Sequence, residues 1–194
     1  MKLSILIFPG IGSASVRCLL LTAALVAAGI GGASAQQPPA KPSAVQSPPA
    51  AVSGWRYERG QSDLHIFRCE QTKCGAGSRV SYQLFAPGKP MTLEEFRGSQ
   101  ERVVKALEQR TPGLKATIIG VDGDKGNALP RLFKARRLTV APGGASEYVV
   151  SALLFGTRAS ASLISSAREE KASSDNYTQF ALAMALFVQA PAAR

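Results

Sequence analysis

The chain has 194 residues, 45% of them hydrophobic and 7% aromatic, with 23 Lys and Arg against 13 Asp and Glu for a formal charge of +10. That composition supplies enough apolar chain for one ordinary core, and its charge favours anionic over cationic partners. A single histidine, His65, leaves little room for histidine-based metal or triad chemistry, and no catalytic or cofactor motif is present.

The N-terminus opens with Lys2 and carries the apolar run "CLLLTAALVAAGIGGA" after Arg17. The run ends in Ala33-Ser34-Ala35, a small-x-small cleavage pattern, so residues 1–35 read as a signal peptide and Gln36 as the first mature residue. A membrane anchor is the rival. Residues 18–30 give only about half of the roughly 20 residues a spanning helix needs, and Gly31-Gly32 interrupts them. Arg17 before Cys18 argues against a lipoprotein site, and no Arg-Arg pair precedes the apolar core. Cleavage would remove two bases and no acid, leaving +8, with no transmembrane segment in the mature chain and a periplasmic or secreted location.

Residues 36–53 are rich in Pro, Ala, Gln and Ser and lack an apolar period, which is the composition of an extended tether. A single domain is expected over 54–189, with a short tail at 190–194. "GWRYERG" (54–60) and "DLHIFRC" (63–69) read as strands, and "SRVSYQLFA" (78–86) alternates as a half-buried strand does. Residues 63–86 thus form a β-hairpin with Cys69 and Cys74 at its turn, and Pro87-Gly88-Lys89-Pro90 stops it.

Those two cysteines could be a metal clip, a redox pair or a structural staple. With Cys18 lost in the leader, they and His65 fall short of four zinc ligands, and their spacing is not Cys-x-x-Cys. Outside the cytoplasm, neighbouring thiols oxidise. The expectation is a Cys69–Cys74 disulfide, whose short loop contributes roughly 2 kcal/mol on a chain-entropy account.

"TLEEFRGSQERVVKALEQR" follows as a helix. Thr92 and Glu95 have capping-box spacing, and Leu93, Phe96, Val103, Val104 and Leu107 recur near 3.6 residues, with Gln100 in one apolar slot. Four strand-like runs come next at 114–121, 131–141, 146–156 and 159–169, joined by the turn-forming "DGDKGNALP", "PGGA" and "TR". Such short connections imply an antiparallel meander. The last element, 173–189, reads as a helix capped by Ser174 or Asp175. Tyr177, Phe180, Ala181, Met184 and Val188 share one face, and Leu182, Leu186 and Phe187 widen it, so burial around much of the circumference is expected.

Several possible sites give way to plainer readings. Asp122 and Asp124 miss the calcium-loop pattern, because Lys125 intrudes and Phe133 holds the twelfth position. His65 has no Ser-x-Gly elbow or acidic companion nearby in sequence, and a hydrolase would need a cleft that brings distant carboxylates to it. The serines of "ASASLISSA" suit close packing under a helix, and the Asn176-Tyr-Thr sequon falls at a helix start. The strongest surface signal is "PRLFKARRLTV", which puts Arg131, Lys134, Arg136 and Arg137 on one strand. Two readings compete: protection of a sheet edge, or an anion-binding strand facing a lipid or glycan surface. Nucleic acid is disfavoured by export and by the scarcity of aromatics near the patch.

The order of elements resembles the PsbP-like α/β/α sandwich family. The likeness runs over residues 54–189 through a hairpin ending at "SYQLFAP", the helix "TLEEFRGSQERVVKAL", the strands of "YVVSALLFGTRASASLISSA" and the closing helix "DNYTQFALAMALF". It implies an α+β fold and, from what the family mostly does, a non-catalytic binding or assembly module without cofactors. Its partner would be an envelope protein or an anionic envelope surface. The cysteine pair is not part of the general family pattern, and no functional residue carries over.

Overall fold

A computed structural model describes residues 52–189. The expected leader (1–35), most of the tether and the tail at 190–194 lie outside the described residues. Nine principal elements run in the order β1 (Trp55–Arg59), β2 (His65–Cys69), β3 (Arg79–Phe85), α1 (Leu93–Arg110), β4 (Lys115–Gly123), β5 (Arg131–Val140), β6 (Ser146–Phe155), β7 (Ser160–Ala167) and α2 (Glu170–Gln189). Short 3-10 turns occupy Gln61–Asp63 and Thr72–Cys74.

The strands form one seven-stranded antiparallel sheet in the order β1-β2-β3-β7-β6-β5-β4. The N-terminal hairpin is therefore not a separate layer. It extends the meander, because β3 pairs with β7 from Arg79 opposite Ser166 to Phe85 opposite Ser160. The bare edges are β1 and β4, so β5 lies inside the sheet with partners on both sides. Edge protection is thereby excluded as the reason for the charges of β5. Charge serves that role on the true edge β1, where Arg56, Glu58 and Arg59 interrupt the apolar pattern, while β4 carries a bulge between Ile118 and Gly120.

Alternation along each strand sends side chains to two opposite faces, and each face buries one helix. Phe133, Ala135 and Phe155 pack with Phe96 of α1. Val150, Ala152, Leu154 and Leu163 pack on the other face with Tyr177, Phe180, Met184 and Val188 of α2. The result is an α/β/α sandwich. Val52, at the end of the expected tether, also packs against the α2 core.

The start of α1 follows the sequence closely. Thr92 Oγ1 accepts from Glu95 N at 3.1 Å, and Glu95 Oε2 accepts from Thr92 N at 2.7 Å. The cap satisfies two otherwise orphaned donors.

Two features of α2 depart from expectation. The helix begins at Glu170, before either proposed cap, with Ser173 N donating to Glu169 O at 3.0 Å. Acidic residues at a helix start are favoured by its dipole, and Asp175 lies one turn inside, paired with Lys171 at 2.5 Å. Nor is the apolar circumference fully covered: Leu182 and Leu186 are 67% and 66% exposed, while Met184 and Val188 are buried. The sheet covers only the inward stripe.

At its end α2 comes close to the β6–β7 turn. A Cβ added to Gly156 would run into the Val188 carbonyl, whereas one on Gly143 would meet nothing within 4 Å. Gly156→Ala is expected to lower stability by about 1–3 kcal/mol through overpacking, with Gly143→Ala nearly neutral. Urea midpoints of the two variants check this, and equal midpoints would refute the close approach.

Candidate functional site

The four basic residues of β5 divide between the two faces of the sheet, as strand alternation requires. Arg131 and Arg137 point with Phe133 and Ala135 toward α1, and Lys134 and Arg136 point toward α2. Most already have intramolecular contacts. The Arg131 guanidinium lies 4.9 Å from the centre of the Phe133 ring, and Lys134 lies 3.8 Å from Asp122 and 6.0 Å from the Tyr177 ring centre. Arg136 pairs with Glu170 at 3.1 Å. Burial pulls the Arg137 pKa below the ordinary arginine range, with Glu147 acting in the opposite direction, and its Nε has no hydrogen-bond partner. The strand does not present the four as one continuous patch.

Cys69 and Cys74 are bonded to each other at the hairpin turn, and both are buried. Asn176 Nδ2 donates to the Cys74 carbonyl at 2.9 Å, which ties α2 to this tip. With Asn176 only 4% exposed and hydrogen-bonded, the sequon has a packing role in place of a surface one.

His65 is a core residue, only 2% exposed. Its ring stacks on Tyr82 at 4.5 Å between centroids, and Tyr57 Oη and His65 Nδ1 share a hydrogen bond at 2.9 Å. Phe67 and Phe180 continue the aromatic packing at 4.9 Å. Burial lowers the His65 pKa, and the nearby Arg59 charge lowers it further, against an opposing pull from Asp63. The Tyr82 hydroxyl is raised by burial and has no partner, and burial pushes Tyr177 up to about 12. The sequence pattern missed this cluster. Its strand residues come from β1, β2 and β3, whose register brings them together, and Phe180 joins them from α2.

The remaining candidates have structural work. Asp122 faces Lys134, and Asp124 Oδ2 accepts from Leu132 N at 2.8 Å, closing the β4–β5 turn. Among the described residues no group of three or more His, Cys, Asp and Glu is placed to hold a metal. Ser165 and Ser173 fasten β7 to α2: Ser165 Oγ donates to Ser173 O at 2.8 Å, and Ser173 Oγ donates to Ser165 O at 3.2 Å. The shallow dip among Ile119, Arg136, Arg137, Tyr148 and Glu170 encloses no room for even a water molecule. Small-molecule pockets usually run to about 300–1,000 Å³.

The fold is PsbP-like. The structure is similar to the solution structure of cyanobacterial PsbP (CyanoP) from Synechocystis, with a TM-score of 0.50 at 10% sequence identity. The match covers 69% of this chain and 81% of that one. At the level of sequence, no family model matches the chain and no curated protein does.

The depressed His65 pKa gives a test of its place in the core. Below the unfolded value of about 6.5 the unfolded chain takes up a proton that the folded chain refuses, so this contribution to stability is lost as pH falls. The slope reaches at most about 1.4 kcal/mol per pH unit. Urea midpoints at pH 7.5 and pH 5.5 should fall for the parent and change less for His65→Phe. Equal changes would remove His65 as the source.

Proposed function

We propose that the chain is an exported, non-catalytic binding or assembly module of the bacterial cell envelope. The supporting observation is the structural use of its reactive groups: the only histidine is locked between Tyr57 and Tyr82 in the core. A general base must reach a substrate proton, and His65 at 2% exposure has no such path. Carboxylates that a hydrolase would recruit are held by neighbouring cations, as Glu58 is by Arg68, Asp63 by Arg59 and Glu170 by Arg136. The PsbP-like sandwich suits such a role, since the resemblance carries an expectation of binding and assembly without cofactors. Export is supported by the leader-like N-terminus and by the Cys69–Cys74 bond, which belongs to an oxidising compartment.

With no deep pocket at the basic strand, binding would use an exterior surface. An anionic partner at β5 would meet Lys134 and Arg136 on one face or Arg131 and Arg137 on the other, never the four together.

Crosslinking the chain in its own envelope, followed by affinity capture, should retain a partner or membrane fraction in defined amount. The same preparation should not turn over chromogenic ester, peptide or glycoside substrates. Turnover that disappears in His65→Gln, with the fold intact by circular dichroism, would establish a hydrolase and overturn the reading.

A further inference from the structure

Seven large apolar side chains are exposed among the described residues, and Phe85, Leu129, Leu182 and Leu186 gather toward one end of the sandwich. That end is set by the sheet register, in which Phe85, Ser160, Phe155 and Arg131 stand side by side on β3, β7, β6 and β5. The close of α2 is fixed there. Arg158 N donates to Val188 O at 2.9 Å, and Gln189 Nε2 donates to Leu129 O at 3.0 Å. From residue 176 to residue 189 the helix has no charged side chain, so its two exposed leucines stand on a neutral stripe.

The loops at this end of the sandwich are basic. Lys89 follows β3, Lys125 lies in the β4–β5 turn, and Arg158 lies in the β6–β7 turn with its guanidinium 4.5 Å from the centre of the Phe187 ring. None of the three belongs to an ion pair among the described residues. Carboxylates at the same end are engaged: Asp63 by Arg59, Glu94 by Arg97, Glu95 in the α1 cap and Asp124 by Leu132 N. Glu95 and Asp124 keep their negative charge, with Lys89 acting on Glu95, so this end is positive only on balance: Lys89, Lys125, Arg131 and Arg158 outnumber those two carboxylates.

We propose that this end docks on an anionic lipid surface. Leu182, Leu186 and Leu129 enter the boundary between headgroups and acyl chains, while Lys89, Lys125 and Arg158 meet lipid phosphates. The proposal rests on the binding-module reading and gives that module its surface. Apolar side chains flanked by cations match both layers of a membrane interface. A second copy of the chain fits less well, because pairing these ends would bring cations of like sign together. A protein interface also calls for roughly 1,200 Å² or more of buried surface, with apolar residues gathered at its centre. Here they are spread over a helix, the end of a strand and one loop.

The test uses the chain as processed by its producing cell, with vesicles of phosphatidylglycerol and phosphatidylcholine in equal parts and vesicles of phosphatidylcholine alone. Sedimentation should show binding to the anionic vesicles that weakens as salt rises, and little binding to the neutral ones. Leu182→Ser with Leu186→Ser should weaken binding at least tenfold, given the apolar area the two leucines would withdraw from water. Changing Lys89, Lys125 and Arg158 to Ser should weaken it comparably and flatten the salt dependence. Both variants alter exposed positions, so their melting temperatures should stay near the parent's. No vesicle binding, or equal binding by the parent and both variants, would overturn the proposal. So would concentration-dependent self-association that the leucine variant abolishes, which would assign the stripe to a second copy. If crosslinking yields a protein partner while vesicles are not bound, the lipid proposal fails and the binding-module reading survives.

Discussion

The pairing of β3 with β7 is the constraint on which the sandwich depends. Tyr82 sits opposite Leu163, and seven register pairs from Arg79–Ser166 to Phe85–Ser160 join the N-terminal hairpin to a meander that begins beyond an intervening helix. Without this ladder β1–β3 would be a three-stranded ribbon cut off from the rest of the sheet. With it, Phe67, Val80, Tyr82 and Leu84 reach the core beneath α2. The cost is loop closure across the whole of α1 and β4–β6.

How α2 lies on that sheet follows from residue size. Close to its start, Ser165 and Ser173 are fully buried and exchange hydrogen bonds with each other's carbonyls, which small side chains allow at short range. Near its end, Gly156 leaves room for the Val188 carbonyl. Between these close approaches, Phe180 and Met184 fill a wider gap above Phe67, Tyr82 and Leu163. A buried histidine fits the same layer because neutral imidazole stacks as an aromatic and needs a partner only for its ring nitrogens. Tyr57, from the edge strand, supplies one at Nδ1.

Much of this was legible in the chain. The capping box at Thr92, the alternation of residues 78–86, the turn chemistry between β4 and β7 and the cysteine spacing are local signals, and local physics fixed their outcome. The family likeness ordered those elements into a sandwich. What stayed hidden was pairing over distance. The basic residues of β5 read equally well as belonging to an edge strand, and only the strand order places the strand second from the edge. Periodicity gave α2 a broad apolar surface at 180, 182, 184 and 186, but no sequence signal told how wide a stripe the sheet would cover, and Leu182 and Leu186 fall outside it. The helix start was missed because Ser174 and Asp175 are good caps by type, while the chain leaves β7 early enough for Glu170 to begin the helix.

The two ends of the sandwich are held differently, and that asymmetry bears on where binding can occur. At the hairpin tip, the Cys69–Cys74 bond, the Asn176 bond to Cys74 O and the Ser165–Ser173 clasp lock sheet and helix together with side chains that are themselves buried. Polar groups there are taken up within the fold and have little left to offer a partner. At the opposite end, the contacts between α2 and the turns use main-chain groups of Val188 and Leu129, and leave the side chains of Lys125, Leu129, Arg158 and Leu186 exposed. Side chains take part here too, through Gln189 Nε2 and the Arg158 guanidinium over Phe187, but they stay at the surface. The hairpin end is thus held by buried side chains, and the loop end, where the proposed docking surface lies, keeps its apolar and basic side chains exposed.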